Sequence, residues 1–417
     1  MNDDNMRFIP IIILIVMLML FSAGGGAVSA GRRLDTGRGI RRADAEEIIQ
    51  EGLYEAAIAS VGSGMKSFSA ADYPTVSARA AILYQPDTGE AVFEKNADKR
   101  LPMASTTKIM TALIVLEMAD DLSEAVTVDH LAAGTEGSSA YLKAGEELTV
   151  EELLYALLLR SANDAAMALA IHFGGSVEGF LDLMNRRAQE MGLVDTHFDN
   201  PHGLDSEEHY TTARELAIIA AEALRCERFV AIASTKSKSY AHSEITRTYY
   251  NHNKLLGSLD GCIGMKTGYT KRCGRCLVSA TEREGLSFIA VTLDAPNDWR
   301  DHRELTEYGY SRLMALSLIE PYEYRYEPSI IGGETESSSV TNTEGLKVIL
   351  PRGEHKVVRS VNSPRYLIAP LEVGESVGSI AFTVDGKAVG EVAIRLTEEI
   401  KEKQTGGFFD KLLSIFK

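Results

Sequence analysis

Ser105 and Lys108 stand three positions apart in ASTTKIMTALIVLE (residues 104–117), at the head of an otherwise apolar run. Positions i and i+3 share one helix face, so the hydroxyl and the amine can meet. A serine becomes a nucleophile when a base takes its proton, and Ser105 is not set in a G-x-S-x-G elbow that would point to a histidine partner. Lys108 can be that base if its amine is neutral. Burial and a nearby second cation both disfavour the ammonium form, so such a lysine can titrate near neutrality. A helix start also offers free backbone N–H groups, which suit an oxyanion. The plainer reading makes Ser105 an N-cap and Lys108 an ordinary first-turn residue.

Two later stretches hold polar residues that need explaining. In LLLRSANDAA, Ser161 and Asn163 interrupt an apolar helical run, where short polar side chains are unfavourable without partners. A cap between two helices would also account for them. In GMKTGYT, Lys266 and Thr267 fall on a strand, and Gly268 removes the side chain that would keep another backbone away. A hairpin with a glycine near its turn is the structural alternative. An extended peptide laid along 265–269 could add to the sheet edge. Isolated matches are cheap: Ser63 with Lys66 also fits S-x-x-K, and Ser360 with Asn362 fits S-x-N, but neither has a comparable context. His197, His202 and His209 could be imagined as zinc ligands, yet there is no H-E-x-x-H and a metal site would leave the Ser and Lys segments unexplained. They are expected to pack or bond loops beside the site. The chemistry calls for no metal and no cofactor.

The elements that must carry these residues are visible in the patterning. SARAAILYQ is strand-like and is turned by Pro86-Asp87-Thr88-Gly89 into EAVFEK. The helix headed by Ser105 follows. Helical spacing then runs from Glu151 to Phe173 with a break near Ser161, from Val177 to Met191, and from Thr211 to Leu224. CIGMKTG, CLVSAT and LSFIAVTL read as successive strands. Strands, then helices, then strands again predict one α/β domain over 77–315 whose sheet is completed late in sequence. Beyond Ala315 the helical period is lost, short alternating runs take over and Asp385-Gly386 signals a hairpin, so 316–400 is predicted to be a small all-β domain.

With 417 residues, 45% of them hydrophobic, the chain can bury a substantial core, and a net charge of −16 argues against nucleic-acid binding. FIPIIILIVMLMLFSAGGGAVSA has the layout of a secretory signal ending at Ala30, with a retained anchor as the alternative. Asp3 and Asp4 ahead of Arg7 are atypical of such a leader. Residues 31–76 read as a preamble or linker, with a helix expected over Ala43–Ala59. At the other end, residues 401–417 set Phe409, Leu412, Leu413 and Phe416 on one helical stripe beside several lysines, which suits reversible attachment to a membrane surface. Cys226, Cys262, Cys273 and Cys276 leave three readings open: buried free thiols, a disulfide, or part of a metal site.

S-x-x-K, S-x-N and K-T-G, in that order and in these contexts, resemble the motifs of the penicillin-recognising serine enzymes. More narrowly, the chain is similar to low-molecular-weight penicillin-binding proteins of the D-alanyl-D-alanine carboxypeptidase type, through ASTTKIMTALIVLE, LLLRSANDAAMALA, FDNPHGLDSEEHYTTARELA, NHNKLL and IGMKTGYT. The resemblance covers residues 77–417. It implies a β-lactamase/transpeptidase-like α/β domain, an antiparallel sheet flanked by helices plus a helical subdomain, followed by the all-β domain. It further implies that Ser105 attacks the carbonyl between two D-alanines of a peptidoglycan pentapeptide and that Lys108 accepts its proton. Ser161 would relay a proton to the departing amine. Asn163 would bond the substrate amide or orient Lys108. Lys266 and Thr267 would attract the terminal carboxylate, and the N–H groups of Ser105 and Tyr269 would form the oxyanion hole. Arg300, with Arg303 as its neighbour, is the arginine expected to meet the same carboxylate. Cys273 departs from the small residue usual at its position. β-Lactams would be trapped by the same attack. A β-lactamase would need a deacylating E-x-x-x-N segment between the second and third motifs, and no convincing one is present; an endopeptidase acting on cross-links would share the chemistry and differ only in the acceptor side of the pocket.

Overall fold

The structure, a computed structural model, describes residues 53–61, 74–242 and 246–403. The expected leader, the Ser63/Lys66 pair and the tail beyond residue 403 lie outside the described residues. Among the described residues no helix is long and apolar enough to cross a membrane.

The first strand, β1 (Leu53–Val61), belongs to the C-terminal sheet. The site-bearing domain starts with β2 (Ala80–Gln85) and β3 (Glu90–Lys95), then α1 (Lys108–Met118), the short pair β4 (Ala125–Thr127) and β5 (Glu147–Thr149), α2 (Val150–Leu158), α3 (Asn163–Gly174) and α4 (Val177–Glu190). It continues through α5 (Ala213–Leu224), α6 (Glu227–Ala233), the hairpin β6 (Ser237–Ala241) and β7 (Thr246–Tyr250), and ends with β8 (Cys262–Thr270), β9 (Gly274–Arg283), β10 (Leu286–Leu293) and α7 (Asp298–Arg312). The main sheet is antiparallel in the order β3-β2-β10-β9-β8, so the two early strands are completed by three late ones, as the patterning predicts. Period-2 alternation sorts the side chains between two helical layers. Ala80, Ile82, Ile289 and Val291 join the core made with α1 to α5, whereas Ala81, Leu83, Phe288 and Ala290 face Leu305 and Tyr310 of α7. This ordering leaves β8 at the sheet edge, beside α1.

Ser105 is not an N-cap. Ala104–Thr107 form a 3-10 turn that runs straight into α1, and no side chain caps either segment. Every residue of α1 from Lys108 to Leu116 is buried, which marks an interior helix. Fully buried Ile109, Val115 and Leu116, at about 1.5–3 kcal/mol each as an upper limit, lock this helix in the core and keep Lys108 dry. The break around Ser161 is real: α2 is capped by Thr149, whose Oγ1 accepts the Glu152 N–H at 3.1 Å, and α3 restarts at Asn163 behind an extended Ala162.

The C-terminal part is built of strands, with a six-stranded sheet in the order Leu53–Val61, His355–Ser363, Ser376–Val384, Lys387–Leu396, Val340–Asn342, Arg325–Tyr326. The Asp385-Gly386 turn has both φ angles positive (51° and 80°), as a two-residue hairpin of this hand requires. Two expectations need correcting. Residues 53–59, expected within a helix, are strand: β1 pairs antiparallel with His355–Ser363 from Leu53↔Ser363 to Val61↔His355. A nine-residue ladder along a sheet edge outweighs local helical preference. The preamble therefore contributes a structural strand rather than acting only as a spacer. Strand Leu313–Ile319 also runs across position 315, where the boundary between the two domains was expected, and pairs with Leu346–Pro351.

Candidate active site

Lys108 Nζ is the centre of the site. It lies 2.9 Å from Ser105 Oγ, 2.7 Å from Asn163 Oδ1 and 2.5 Å from the carbonyl oxygen of His202. The lysine is fully buried. Burial, and next the charge of Lys266, hold its pKa well below the usual lysine value, while Asp164 opposes them. Lys266 is also buried, and burial alone brings it down to about 7; its Nζ donates to the Thr267 carbonyl at 2.8 Å.

Each of these groups is aimed by its neighbours. Asn163 donates through Nδ2 to Glu136 O at 2.6 Å, which turns Oδ1 towards Lys108. Asp164 accepts from Ser139 Oγ (2.6 Å) and from the backbone N–H groups of Ala140 and Leu142 (both 3.0 Å), fastening the 136–142 loop over the start of α3. His202 and Gly203 bring a second loop against the nucleophile. A Cβ on Gly203 would stand 2.0 Å from Ala104 O, so only glycine allows that approach. Gly268 has the same function from the other side, because its Cβ would lie 3.0 Å from Ser105 N. The backbone that approaches Gly268 is thus the nucleophile's own turn.

Ser105, Ser161, Thr267, Gly268 and Tyr269 line one cleft of about 520 Å³. Lys108, Asn163 and Lys266 sit directly behind that wall. The structure thereby unites the three motifs.

Arg300 does not join them. It is exposed and pairs with Glu304 at 2.7 Å, while Arg303 bonds Ser258. The arginine in the cleft is Arg275, clamped by Asp298 through Nε–Oδ1 and Nη2–Oδ2 bonds of 2.9 Å each and stacked over Trp299. The reason is register: the β8–β9 hairpin puts Arg275 directly across from Tyr269. The strand-turn-strand reading of 262–281 contained that signal, since a residue just past the turn must face the K-T-G strand.

Three non-glycine residues at the motifs, Ala104, Ser161 and Met265, have φ of 49°, 63° and 97°. Such backbone persists where its surroundings over-determine it, often at functional sites, and residue types alone gave no hint of it. The histidines bond loops: His202 through its carbonyl, His209 through both ring nitrogens, His197 Nδ1 with Glu208 O. All four cysteines are free thiols. Burial pushes Cys273 and Cys276 up to about 12, so neither competes as a nucleophile.

A serine whose hydroxyl meets a buried, charge-depleted lysine at the head of an interior helix, beside the edge strand of an antiparallel sheet, defines an acyl-transferring serine enzyme of the Ser–Lys kind. Comparisons with known proteins agree. Residues 67–297 match the family described as D-alanyl-D-alanine carboxypeptidase, and residues 323–402 match the penicillin-binding protein 5 C-terminal domain. The chain is 33% identical to D-alanyl-D-alanine carboxypeptidase DacC of Escherichia coli K12 (81% of this chain, 87% of the relative) and 30% identical to DacF of Bacillus subtilis 168 (78% and 86%). Its fold is similar to penicillin-binding protein 5 from Haemophilus influenzae, with a TM-score of 0.59 at 26% identity, covering 79% of this chain and 99% of that one. It is also similar to the Streptomyces K15 DD-transpeptidase, with a TM-score of 0.54 at 34% identity, covering 57% and 98%. The chain belongs to the D-alanyl-D-alanine carboxypeptidase family.

Proposed function

We propose that this protein is a serine-type carboxypeptidase that removes the terminal D-alanine from peptidoglycan stem peptides through an acyl-enzyme and is acylated by β-lactams at the same serine. The observation that carries the reading is the environment of Lys108 Nζ. Its partners Asn163 Oδ1 and His202 O are acceptors only. A neutral amine has two N–H bonds, enough for those two acceptors, and a lone pair left for the Ser105 hydroxyl. The hydroxyl then donates to Nζ, and Oγ is ready to attack as its proton leaves.

The developing oxyanion is received by the N–H groups of Ser105 and Tyr269. Ser161 stands on the cleft wall with Ser105 and passes the proton to the departing D-alanine amine. Asn163 holds Lys108 through Oδ1 and spends one Nδ2–H on Glu136 O, which leaves its second N–H for the substrate amide. Lys266 supplies positive potential behind the strand. Arg275, with Thr267, receives the substrate carboxylate in place of Arg300. Water then releases the acyl group.

The family acts on cell-wall peptides, and this supports export through the leader ending at Ala30 and attachment of residues 401–417 to the outer face of the cytoplasmic membrane. The test combines two readouts on the purified protein. D-alanine is released from a pentapeptide, and mass spectrometry finds one penicillin adduct on the parent and none on Ser105→Ala; an adduct that survives in Ser105→Ala would refute the assignment.

A further inference from the structure

Beneath the site, buried His209 and Thr107 form a pair that the chemistry above does not use. The ring of His209 reveals its own tautomer. Nδ1 accepts the Asp199 N–H at 3.0 Å, so the ring proton is on Nε2, which donates to Thr107 Oγ1 at 2.7 Å. Thr107 Oγ1 donates in turn to the carbonyl of Ala104 at 2.8 Å. Burial pushes the imidazole down to about 4, which keeps Nδ1 free to accept.

The Ala104 carbonyl and the Ser105 N–H belong to one rigid peptide plane and point in opposite directions from it. Holding the oxygen therefore aims the N–H. The plane is pressed at both ends, by Gly203 against the carbonyl and by Gly268 against the nitrogen. It also follows an alanine in the left-handed region, which residues with a Cβ avoid, so without a restraint the plane would relax.

We propose that His209 is a positioning residue for the nucleophilic turn: through Thr107 it pins the Ala104 carbonyl and thereby directs the Ser105 N–H into the oxyanion hole. The inference rests on the acyl-enzyme reading. Both acylation and deacylation pass through an oxyanion, so both slow when the aim is lost, whereas non-covalent binding does not.

The experiment measures acylation and deacylation rate constants with a fluorescent penicillin on the full-length chain, alongside a melting curve. His209→Phe and Thr107→Val each slow both steps by roughly ten- to hundred-fold, less than the loss of a whole oxyanion donor. The double variant is no slower than the slower single one, because both changes cut the same link. His209→Gln, whose Nε2 still donates to Thr107, recovers most of the rate. A folded His209→Phe protein that acylates within about twofold of the parent, or losses that multiply in the double variant, overturns the proposal. Should His209→Phe not fold, Thr107→Val decides by itself, parental rates being the overturning result. A parent chain that takes no label at all sinks the acyl-enzyme reading instead.

Discussion

As the base proposed above, Lys108 works only while uncharged, so acylation is expected to rise with pH through its lowered pKa. Part of that lowering comes from the like charge of Lys266. In Lys266→Gln that repulsion is gone, the Lys108 pKa goes up, and the acid limb of the acylation profile moves to higher pH; an acid limb that stays in place argues against the coupling. Lys266 itself comes down to about 7, so its pull on the substrate carboxylate fades as pH rises past that value and KM for the pentapeptide rises with it. Arg275 and Arg300 provide a contrast. Loss of a charge-assisted bond to the carboxylate raises KM in Arg275→Leu by roughly ten- to hundred-fold. The exposed Arg300 side chain pairs with Glu304 at the start of α7, so Arg300→Leu leaves peptide kinetics unchanged. Steady-state kinetics on both variants separates the two assignments. Arg300 follows the last of the three late strands and is the arginine that the family resemblance implies; we propose Arg275 instead because hairpin register, not sequence order, decides which side chain faces Tyr269.

The loop carrying His202 to His209 acts as a clamp on the nucleophilic turn. It supplies an acceptor to Lys108, and Thr111 Oγ1 binds it at Pro201 O at 2.6 Å. Its closest approach is at Gly203, where φ is 90° and a Cβ would meet Ala104 O at 2.0 Å. Gly203→Ala combines a disfavoured backbone with a clash against main chain that has no room to move. It is expected to destabilise the fold by about 2–4 kcal/mol, read as a lower urea midpoint, and to slow acylation in the fraction that folds. A Gly203→Ala protein with parental midpoint and rate would show that the loop is not a clamp. The helices α1 to α5 were legible from their apolar residues and spacing, whereas α6 and α7 were not read from the sequence. The 3-10 turn at Ala104–Thr107 was not legible: STTK satisfies the local signature of a capped helix, and only the loop and strand pressed on either side make the tighter turn favourable.

Across the whole described chain, the cluster around Lys108 and the core of the C-terminal sheet are distinct. Strand β1 belongs to the second of these sheets and bonds only along its edge. Deleting residues 1–61 is therefore expected to lower the melting transition of the C-terminal sheet and leave the penicillin acylation rate unchanged; a deletion variant with slowed acylation would tie the strand to the site. Taken by itself, the sequence determined the class of chemistry, the three motifs, the late completion of the main sheet and the change to strands beyond residue 315, because nucleophile, base and apolar period are local properties written in residue type and spacing. Tertiary structure alone decided that residues 53–61 pair as a strand, that Gly268 makes room for the turn of Ser105, and that Asn163 bonds Lys108. Those outcomes depend on which distant segments press against one another, and an interaction across about a hundred residues of chain leaves no periodicity in either partner.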